Sequence, residues 1–237
     1  MRKRFLAGCL MAALALSLIG CGKKKNTDTQ TETTDQSQED TSEEEDTKES
    51  TDTAAADNQV EPAHDSAVAE ELEKMSAVSD GVIYAMYQPD ISKDGVSYVP
   101  SDAQFFWLCI CFTANNMKDT VEGVTADETN CVYTVPADVI SAYAKACFGS
   151  GQTIPDIPQE VSYAKKDGDN YQITMGDAGD MGFTLTKAYK NSDDTYTGIF
   201  ELSTSEGLLG TYRLTYKADT DGDALFPYNI TNAVLVK

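Results

Sequence analysis

The amino-acid sequence predicts an α+β fold in which N-terminal helices are followed by an antiparallel β-meander packed on a helix. Two observations lead to this prediction. Up to residue 148 the apolar residues recur at the three- and four-residue spacing of helices, whereas after Pro158 they recur at every second residue, as in half-buried strands. Turn sequences rich in Asp, Gly and Asn separate the alternating runs, as hairpins require.

The first predicted helix is the segment DSAVAEELEKMSAVS. Asp65 is suited to cap it, because a short side chain that accepts hydrogen bonds satisfies the first backbone amides of a helix. The apolar residues Val68, Leu72 and Met75 follow at helical spacing. The next run, GVIYAMYQ, is apolar and partly β-branched, so it fits either a strand or a continuation of the helix past Gly81.

The segment SDAQFFWLCICFTANNM also fits two kinds of structure. Ser101 and Gln104 match a capping box, and the run is about four helical turns long. The stretch from Phe105 to Phe112 is apolar on every side, however, which also suits a buried strand. We favour a helix that is buried on most sides, with Trp107 in the core.

A short strand, NCVYTV, and the clearest helix of the chain, PADVISAYAKACFGSG, follow. Pro136 suits the first turn of this helix, where a backbone amide has no intrahelical partner. Gly149 suits its end, where the left-handed conformation favours glycine. The apolar stripe of the helix consists of Val139, Ile140, Tyr143, Ala144 and Cys147.

The alternating runs after Pro158 predict a sheet with one apolar and one polar face. The apolar face is assigned to Val161, Tyr163, Tyr171, Ile173, Met175, Phe183, Leu185, Tyr189, Tyr196, Phe200, Leu202, Tyr212, Leu214 and Tyr216, and a final run from Ile230 to Val236 closes the chain. The polar face is assigned to Thr184, Thr186, Ala188, Thr211, Arg213, Thr215 and Lys217. We expect the polar face to be exposed, because Arg213 and Lys217 would be costly to bury without partners. It forms a threonine-rich patch if its strands are neighbours.

The order of a helix followed by a meander, over roughly residues 101 to 237, resembles the cystatin-like folds, in which a curved sheet wraps a helix. The resemblance concerns the order of elements alone and implies nothing about function. The alternative is a small calycin-like barrel built from the meander alone.

The N-terminus has the layout of a secretory signal peptide. The basic residues 2–4 precede an apolar run over residues 5–20, which is too short for a comfortable membrane span. The run ends in LIGC, which resembles the lipobox of bacterial lipoproteins. The resemblance implies that residues 1–20 are removed and that diacylglycerol is attached to the sulfur of Cys21, which becomes the mature N-terminus.

Residues 21–62 are predicted to be a lipidated N-terminus and a disordered acidic tether. Three lysines at residues 23–25 each add about 1 kcal/mol of attraction to an anionic leaflet. Residues 26–62 hold 13 acids and one lysine, a net charge of −12, and cannot bury enough apolar surface to offset chain entropy. We expect the protein to be held at the extracytoplasmic face of the cell membrane by its lipid. The net charge of −21 argues against nucleic acid as a partner.

Residues 63–237 are predicted to form a single domain without a catalytic constellation. His64 is the only histidine and lies where the tether meets the domain, so we interpret it as a solvated linker residue. Nucleophilic triads and most catalytic zinc sites need histidine held by a rigid fold. The chain also lacks the glycine-rich nucleotide motifs. We therefore assign no catalytic residue, no cofactor and no metal site.

The cysteines and aspartates of the domain allow two further interpretations each. Cys109 and Cys111 lack the C-x-x-C spacing that is usual in zinc sites. Among the possible disulfides, Cys131–Cys147 is the first candidate, and the alternative is that all four cysteines are buried free thiols. The sequence DTDGD resembles a calcium loop, but its glycine stands fourth rather than sixth, so we predict a polar hairpin turn. Similar turns are predicted at Asp167/Asp169, Asp177/Asp180 and Asp193/Asp194, and several of them at one end of the sheet would form a weak cation site.

Two classes of function remain. The favoured class is a non-enzymatic binding module for a protein, a glycan or a small ligand. The alternative is a histidine-free enzyme that acts on cell-wall polysaccharide through two carboxylates facing each other in a pocket. The lipobox, the acidic tether and the Tyr- and Asp-rich domain together resemble uncharacterised surface lipoproteins of clostridia-like Gram-positive bacteria.

Overall fold

A computed structural model describes residues 62–87, 97–118, 120–176, 179–222 and 224–236. The predicted signal segment, Cys21 and the predicted tether up to residue 61 lie outside these residues. The described residues form helices and two antiparallel four-stranded sheets, so the predicted α+β fold class is confirmed. Neither sheet closes into a barrel, and the calycin-like alternative is therefore wrong.

The helices are α1 (Ser66–Leu72), α2 (Ser76–Tyr87), α3 (Ala103–Met117) and α4 (Ala137–Phe148), with a 3-10 turn at Glu73–Met75. The strands are β1 (Thr125–Asp127), β2 (Val132–Pro136), β3 (Ala164–Asp167), β4 (Asn170–Thr174), β5 (Gly182–Lys190), β6 (Tyr196–Thr204), β7 (Gly207–Ala218) and β8 (Tyr228–Leu235). The first sheet has the order β1-β2-β4-β3 and the second the order β5-β6-β7-β8.

The strands after Pro158 do not form one meander, as the alternation predicted, but are divided between the two sheets. β4 pairs with β3 on one side and with β2 on the other, so the strand before α4 is part of the first sheet. β5 to β8 form the second sheet by consecutive antiparallel pairing. The helices pack against both sheets: α2 contacts β7 and β8, α3 contacts β4, and α4 contacts strands of each sheet.

The first helical segment continues past Gly81, which resolves the ambiguity of GVIYAMYQ in favour of a helix. Asp65 caps it as predicted, because its carboxylate accepts hydrogen bonds from the amides of Ala67 and Val68. An ideal Cβ at Gly81 would lie 2.7 Å from Thr113 Oγ1 and 3.1 Å from the carbonyl oxygen of Cys109. Glycine is therefore required here for the close approach of α2 and α3 rather than for a turn.

The α3 segment is a helix, as favoured, and is buried over most of its length. The cap is Asp102 rather than the predicted Ser101, because the Asp102 carboxylate accepts a hydrogen bond of 2.8 Å from the amide of Phe105. Trp107 is fully buried, and its indole N–H donates to the carbonyl oxygen of Pro155 at 3.2 Å. The prediction that Trp107 belongs to the core is confirmed.

The inner face of the second sheet is apolar as predicted, with one change of phase. A β-bulge between Leu185 and Lys187 shifts the register of β5 against β6. Ala188 is therefore paired with Gly198 on the inner face and is fully buried, although the alternation had placed it with the polar residues. A single inserted residue reverses the orientation of every side chain beyond it, which simple period-two counting does not detect.

The outer face of this sheet differs from the predicted threonine-rich patch. β6 lies between β5 and β7, so Thr184 and Thr211 are both paired with Glu201 and are not neighbours. Arg213 is half-buried and is paired with Ile199, and among the four residues predicted on β7 only Lys217 is exposed. Of the residues predicted on this face, Thr184, Thr186 and Lys217 are exposed, and the other β7 residues are partly exposed, so the expected exposure is confirmed in large part. The joined threonine-rich patch is not formed, because β6 separates β5 from β7.

Candidate ligand pocket

A pocket of about 370 Å³ lies between α4, the loop that follows α3, and the connection from β7 to β8. Its described lining consists of five polar and seven apolar residues. The polar residues are Glu122, Asp138, Lys145, Asp219 and Asn229. The apolar residues are Val121, Val139, Ala142, Ala146, Ala224, Leu225 and Phe226.

One face of α4 supplies five of the lining residues because they recur at helical spacing. Counted from Asp138 as position 0, the lining residues stand at positions 0, 1, 4, 7 and 8 of the helix: Asp138, Val139, Ala142, Lys145 and Ala146. The helix begins after Pro136 and ends at Gly149, which has a φ of 88°, as the sequence predicted. The predicted apolar stripe packs into the core, and the pocket lies on the edge of that stripe.

An ion-pair cluster closes one end of the pocket. The ammonium group of Lys145 lies 2.6 Å from the Oδ2 atom of Asp219 and also donates a hydrogen bond to Asp221. The Asp219 side chain is only 5% exposed, whereas that of Lys145 is 25% exposed and that of Asp221 is 73% exposed. The loop itself is held by the amide of Asp221, which donates to Asp219 Oδ1 at 2.9 Å.

The charge of Lys145 decides the ionisation of Asp219. Burial raises the pKa of the Asp219 carboxyl, but the hydrogen bond from Lys145, the amide of Asp221, the lysine charge and the side chain of Asn229 together outweigh it. The pKa of Asp219 is therefore below its ordinary value. The pKa of Lys145 is raised by its hydrogen bonds to Asp219 and Asp221. Both groups are consequently charged at neutral pH.

Asn229 is the buried polar residue of the pocket. It is 8% exposed, and its side chain hydrogen-bonds to Asp219. Because a carboxylate can only accept, the amide NH2 group of Asn229 makes this bond. Its Oδ1 atom is buried and has no hydrogen-bond partner. A buried acceptor without a donor lowers the stability of the folded chain.

A second pocket, of about 390 Å³, lies over the first sheet and has the opposite charge. Its described lining includes Lys165 and Lys166 on β3 together with Asp156 and several apolar residues. The ring of Tyr171 forms part of it, and the ammonium group of Lys166 lies 5.9 Å from the centre of that ring. Both lysines are exposed, and neither offers the fixed, buried polar group that Asn229 offers in the first pocket.

The requirements of carboxylate catalysis are met by two different residues and not by one. A catalytic acid needs a raised pKa inside a pocket, yet Asp219 lies in a pocket and its pKa is lowered. The pKa of Asp80 on α2 is raised to about 7, first by burial and then by the charge of Glu73. Asp80 is not among the described residues that line either pocket.

His64 has a structural contact that the sequence did not predict. It is exposed, as expected of a linker residue, but its Nδ1 atom accepts a hydrogen bond of 3.2 Å from the amide of Ala188. The amide of Asp65 donates to the carbonyl oxygen of Ala188 at 2.8 Å. The residues before α1 are thus joined to the edge strand β5, and the interpretation of His64 as a purely solvated residue is wrong.

The DTDGD sequence lies in the connection between β7 and β8, so the predicted hairpin turn is confirmed. Its aspartates bind a lysine: Asp219 and Asp221 hold Lys145. Of the other acidic turns, that of Asp167 and Asp169 joins β3 to β4, and Asp193 and Asp194 lie between β5 and β6. Within the described residues, no three His, Cys, Asp or Glu side chains are grouped so that they could hold a metal ion. Asp177 and Asp223 lie outside those residues.

The buried cysteines belong to the core. Cys109, Cys111 and Cys147 are buried free thiols, and Cys147 Sγ lies 3.6 Å from Thr113 Oγ1. The disulfide candidate Cys131–Cys147 is therefore wrong. Burial raises the pKa of Cys147 to about 12, and that of Cys109 is raised as well, so these thiols are protonated at neutral pH.

The sequence analysis singled out the acidic turn that contains Asp219 and placed Val139 on a helix stripe, but it did not predict that these residues line one pocket. Asp138 and Lys145 are seven residues apart on a predicted helix, a spacing that places them on one face. Lys145 and Asp219, however, are 74 residues apart in sequence. A lysine on the predicted α4 helix and an acidic turn are each ordinary surface features, and only the tertiary fold brings them together.

Comparison of the chain with models of known protein families, with curated proteins and with solved structures finds no match. Of the helices that the structure describes, none has both the length and the apolar character needed to cross a membrane.

Proposed function

We propose that the chain is a lipid-anchored extracytoplasmic lipoprotein whose domain is a non-enzymatic binding module. The anchor is assigned to Cys21, because LIGC follows a basic and then an apolar segment at the N-terminus. Diacylglycerol on this cysteine and the lysines at residues 23–25 give the two attachments that stable membrane binding requires.

The observation that carries the binding role is the pocket beside α4. It combines an apolar wall with a few fixed polar groups, which is the usual composition of a small-ligand site. Its volume is at the lower end of the range of about 300–1,000 Å³ for such sites. Its described lining contains no serine, threonine, cysteine, tyrosine or histidine that could act as a nucleophile or general base. The acidic residues present are suited to recognition.

The membrane anchor is tested by changing Cys21→Ala in a host that processes lipoproteins. We expect the variant to leave the detergent phase in a partition assay, because neither the acyl chains nor the cleavage site remains. Cys131→Ala serves as the matched control, since it removes a cysteine from the domain, and it should partition like the wild type. A Cys21→Ala chain that still enters the detergent phase would show that another anchor holds the protein.

The binding role is tested with solubilised cell-wall fragments and the purified chain. Ala142→Trp places a large ring in the pocket, and Ser141→Trp places the same ring on the exposed side of α4. We expect wall fragments to bind the wild type and Ser141→Trp but not Ala142→Trp, as measured by calorimetry. Equal binding by all three proteins would place the site elsewhere. Turnover of a glycan that is lost on changing one carboxylate would instead support the enzyme.

A further inference from the structure

The second sheet has one edge that is covered and one that is partly open. At the β5 edge, the amide of Asp65 donates to the carbonyl oxygen of Ala188 at 2.8 Å, so the residues before α1 lie along that strand. At the β8 edge, the hydroxyl of Tyr98 lies 3.3 Å from the carbonyl oxygen of Ile230. Beyond this contact, residues 231, 232 and 234–236 are exposed. The second half of β8 is therefore an open edge.

The strand register shows which backbone groups point out of this open edge. The amide of Val236 donates to the carbonyl oxygen of Thr211 at 2.7 Å, so these two residues form a hydrogen-bonded pair. Bonded and non-bonded pairs alternate in an antiparallel ladder, and no bulge interrupts the pairing of residues 232–235 with β7. Ala233 and Leu235 therefore direct their amide and carbonyl groups away from β7. Within the described part of the chain, no other backbone group bonds to these outward groups.

Exposed apolar side chains surround the same edge. Of the seven large apolar side chains that are exposed in the described residues, five lie at this end of the second sheet. They are Leu208 and Leu209 on β7, and Val234, Leu235 and Val236 on or directly after β8. An ideal Cβ at Gly210 would lie 3.2 Å from Leu235 Cδ1, so the apolar residues of the two strands are adjacent. An open strand edge flanked by apolar side chains is a surface on which another strand pairs.

We propose that the open edge of β8 pairs with the same edge of a second copy of this chain, antiparallel and about a twofold axis at Val234. In this register Ala233 lies opposite the partner's Leu235, and Leu235 lies opposite the partner's Ala233. The residues that direct their backbone groups outward therefore bond to each other, and the edge is complementary to itself. The two Val234 side chains meet at the axis, and the two second sheets become one antiparallel sheet of eight strands.

The charge of the strand identifies a second copy rather than another protein as the occupant. Residues 228–236 contain no Asp, Glu, Lys or Arg, although the whole chain has a net charge of −21. A basic partner attracted by the acidic chain finds no counter-charge here, whereas two copies pair without placing like charges opposite each other. One strand edge with five apolar side chains is smaller than the about 20–30 residues that each partner contributes to a standard interface. We therefore expect a weak dimer, which is best trapped covalently.

Disulfide trapping tests this register in the full chain, in intact cells of a host that produces it. Val234→Cys is combined with Cys131→Ala, because Cys131 is the described cysteine that is not buried. Opposite residues of a non-bonded antiparallel pair have Cα atoms about 4.5 Å apart, a distance that a disulfide spans. We expect copper phenanthroline to oxidise the two introduced thiols, which gives a linked dimer on a non-reducing gel. The chain with Cys131→Ala alone should stay monomeric on that gel.

Matched variants make the test specific. Asn232→Cys lies on the same face, but this register separates its two thiols by about 13 Å, and it should give no dimer. Val99→Cys should give none either, because Val99 is as exposed as Val234, at 41% against 40%, but lies outside the sheet. Leu235→Pro, added to Val234→Cys, removes an outward amide and no bond to β7, so it should abolish the dimer.

Leu235→Lys, which places a charge on the edge, should abolish the dimer as well and serves if the proline variant fails to fold. Three results would each overturn the proposal: no dimer from Val234→Cys, as much dimer from Val99→Cys, or linkage of Val234→Cys to a different protein. A dimer from Val234→Cys that persists with both Leu235→Pro and Leu235→Lys would overturn it too.

Discussion

The interface between α2 and α3 and the interface between α4 and the β7–β8 connection differ in how completely they are filled. At the first, there is no room for a single methyl group, because a Cβ on Gly81 would lie 2.7 Å from Thr113 Oγ1. At the second, the same kind of helical surface borders a pocket of about 370 Å³. Several residues around this pocket, among them Glu122, Asp138 and Leu225, are exposed, so it is a cleft that opens to solvent.

The surroundings of α2 and of α4 also differ in how their polar groups are satisfied. The Oγ atom of Ser79, on α2, lies 2.9 Å from the carbonyl oxygen of Met75 and 2.8 Å from the hydroxyl oxygen of Tyr216 on β7. The Ser79 hydroxyl can therefore hydrogen-bond to both oxygens. Beside α4, Asn229 Oδ1 and the hydroxyl of Tyr143 are buried without a partner. The polar group on α2 is therefore satisfied within the folded chain, whereas two buried polar atoms near α4 are not.

The largest effect that distinguishes the interfaces is expected from added volume. Gly81→Ala should lower the free energy of unfolding by about 2 kcal/mol, because overpacking outweighs the gain in helix propensity. Ala142→Leu adds more atoms to α4, but into the pocket, and should change the free energy by less than about 0.5 kcal/mol. Urea denaturation measures both values. Wild-type stability for Gly81→Ala would show that α2 and α3 are not in tight contact.

The tight interface could be predicted only in part, because the sequence shows a glycine but not its neighbours. The pattern correctly assigned Asp65, Pro136 and Gly149 to helix ends, since capping depends on residues that are close in sequence. Gly81 stayed ambiguous, because a glycine inside an apolar run is equally compatible with a break in the helix and with a close contact between helices. The contact with Thr113 that decides between them lies 32 positions further along the chain.

The arrangement of the second sheet and the pocket were predicted less well for the same reason. The alternation of Tyr212, Leu214 and Tyr216 correctly assigned the buried face of β7, because alternation is local. The bulge that buries Ala188 and the pairing of β4 with β2 depend on contacts between strands. Asn229 lies in the final strand, where nothing in the neighbouring sequence indicates that one of its polar atoms has no partner.

A smaller difference is expected when one polar side chain is removed from α2, at its contact with β7, and one from the pocket beside α4. Ser79→Ala deprives the buried Tyr216 hydroxyl of a hydrogen bond, and it should lower the free energy of unfolding by about 1.5 kcal/mol. Asn229→Leu should change it by less than about 0.5 kcal/mol, because loss of the bond to Asp219 is offset by removal of an unsatisfied acceptor. Both values are obtained from urea denaturation at neutral pH. A loss as large for Asn229→Leu as for Ser79→Ala would mean that Oδ1 is satisfied in the folded protein.

The last prediction concerns two carboxyls, Asp80 on α2 and Asp219 in the β7–β8 connection, whose pKa values move in opposite directions. Burial, and then the charge of Glu73, raises the pKa of Asp80 from its ordinary 3.8 to about 7, whereas Lys145 helps to lower that of Asp219. Between pH 3.8 and about 7, Asp80 keeps its proton in the folded chain but has released it in the unfolded chain. The contribution of Asp80 to stability therefore falls as the pH rises through this range.

Asp80→Asn removes this dependence, because an amide does not titrate. Between about pH 3, where Asp80 is largely protonated in both states, and about pH 8, we expect the free energy of unfolding of the variant to rise relative to that of the wild type by about 4 kcal/mol, because a rise of about three pKa units corresponds to that free energy. Asp167→Asn, at an exposed turn, is the control for a general change in net charge. Urea denaturation across this pH range measures the difference. If Asp80→Asn and the wild type keep a constant difference at every pH, Asp80 ionises in the folded protein as it does in the unfolded chain, and only the packing of α2 distinguishes the two interfaces.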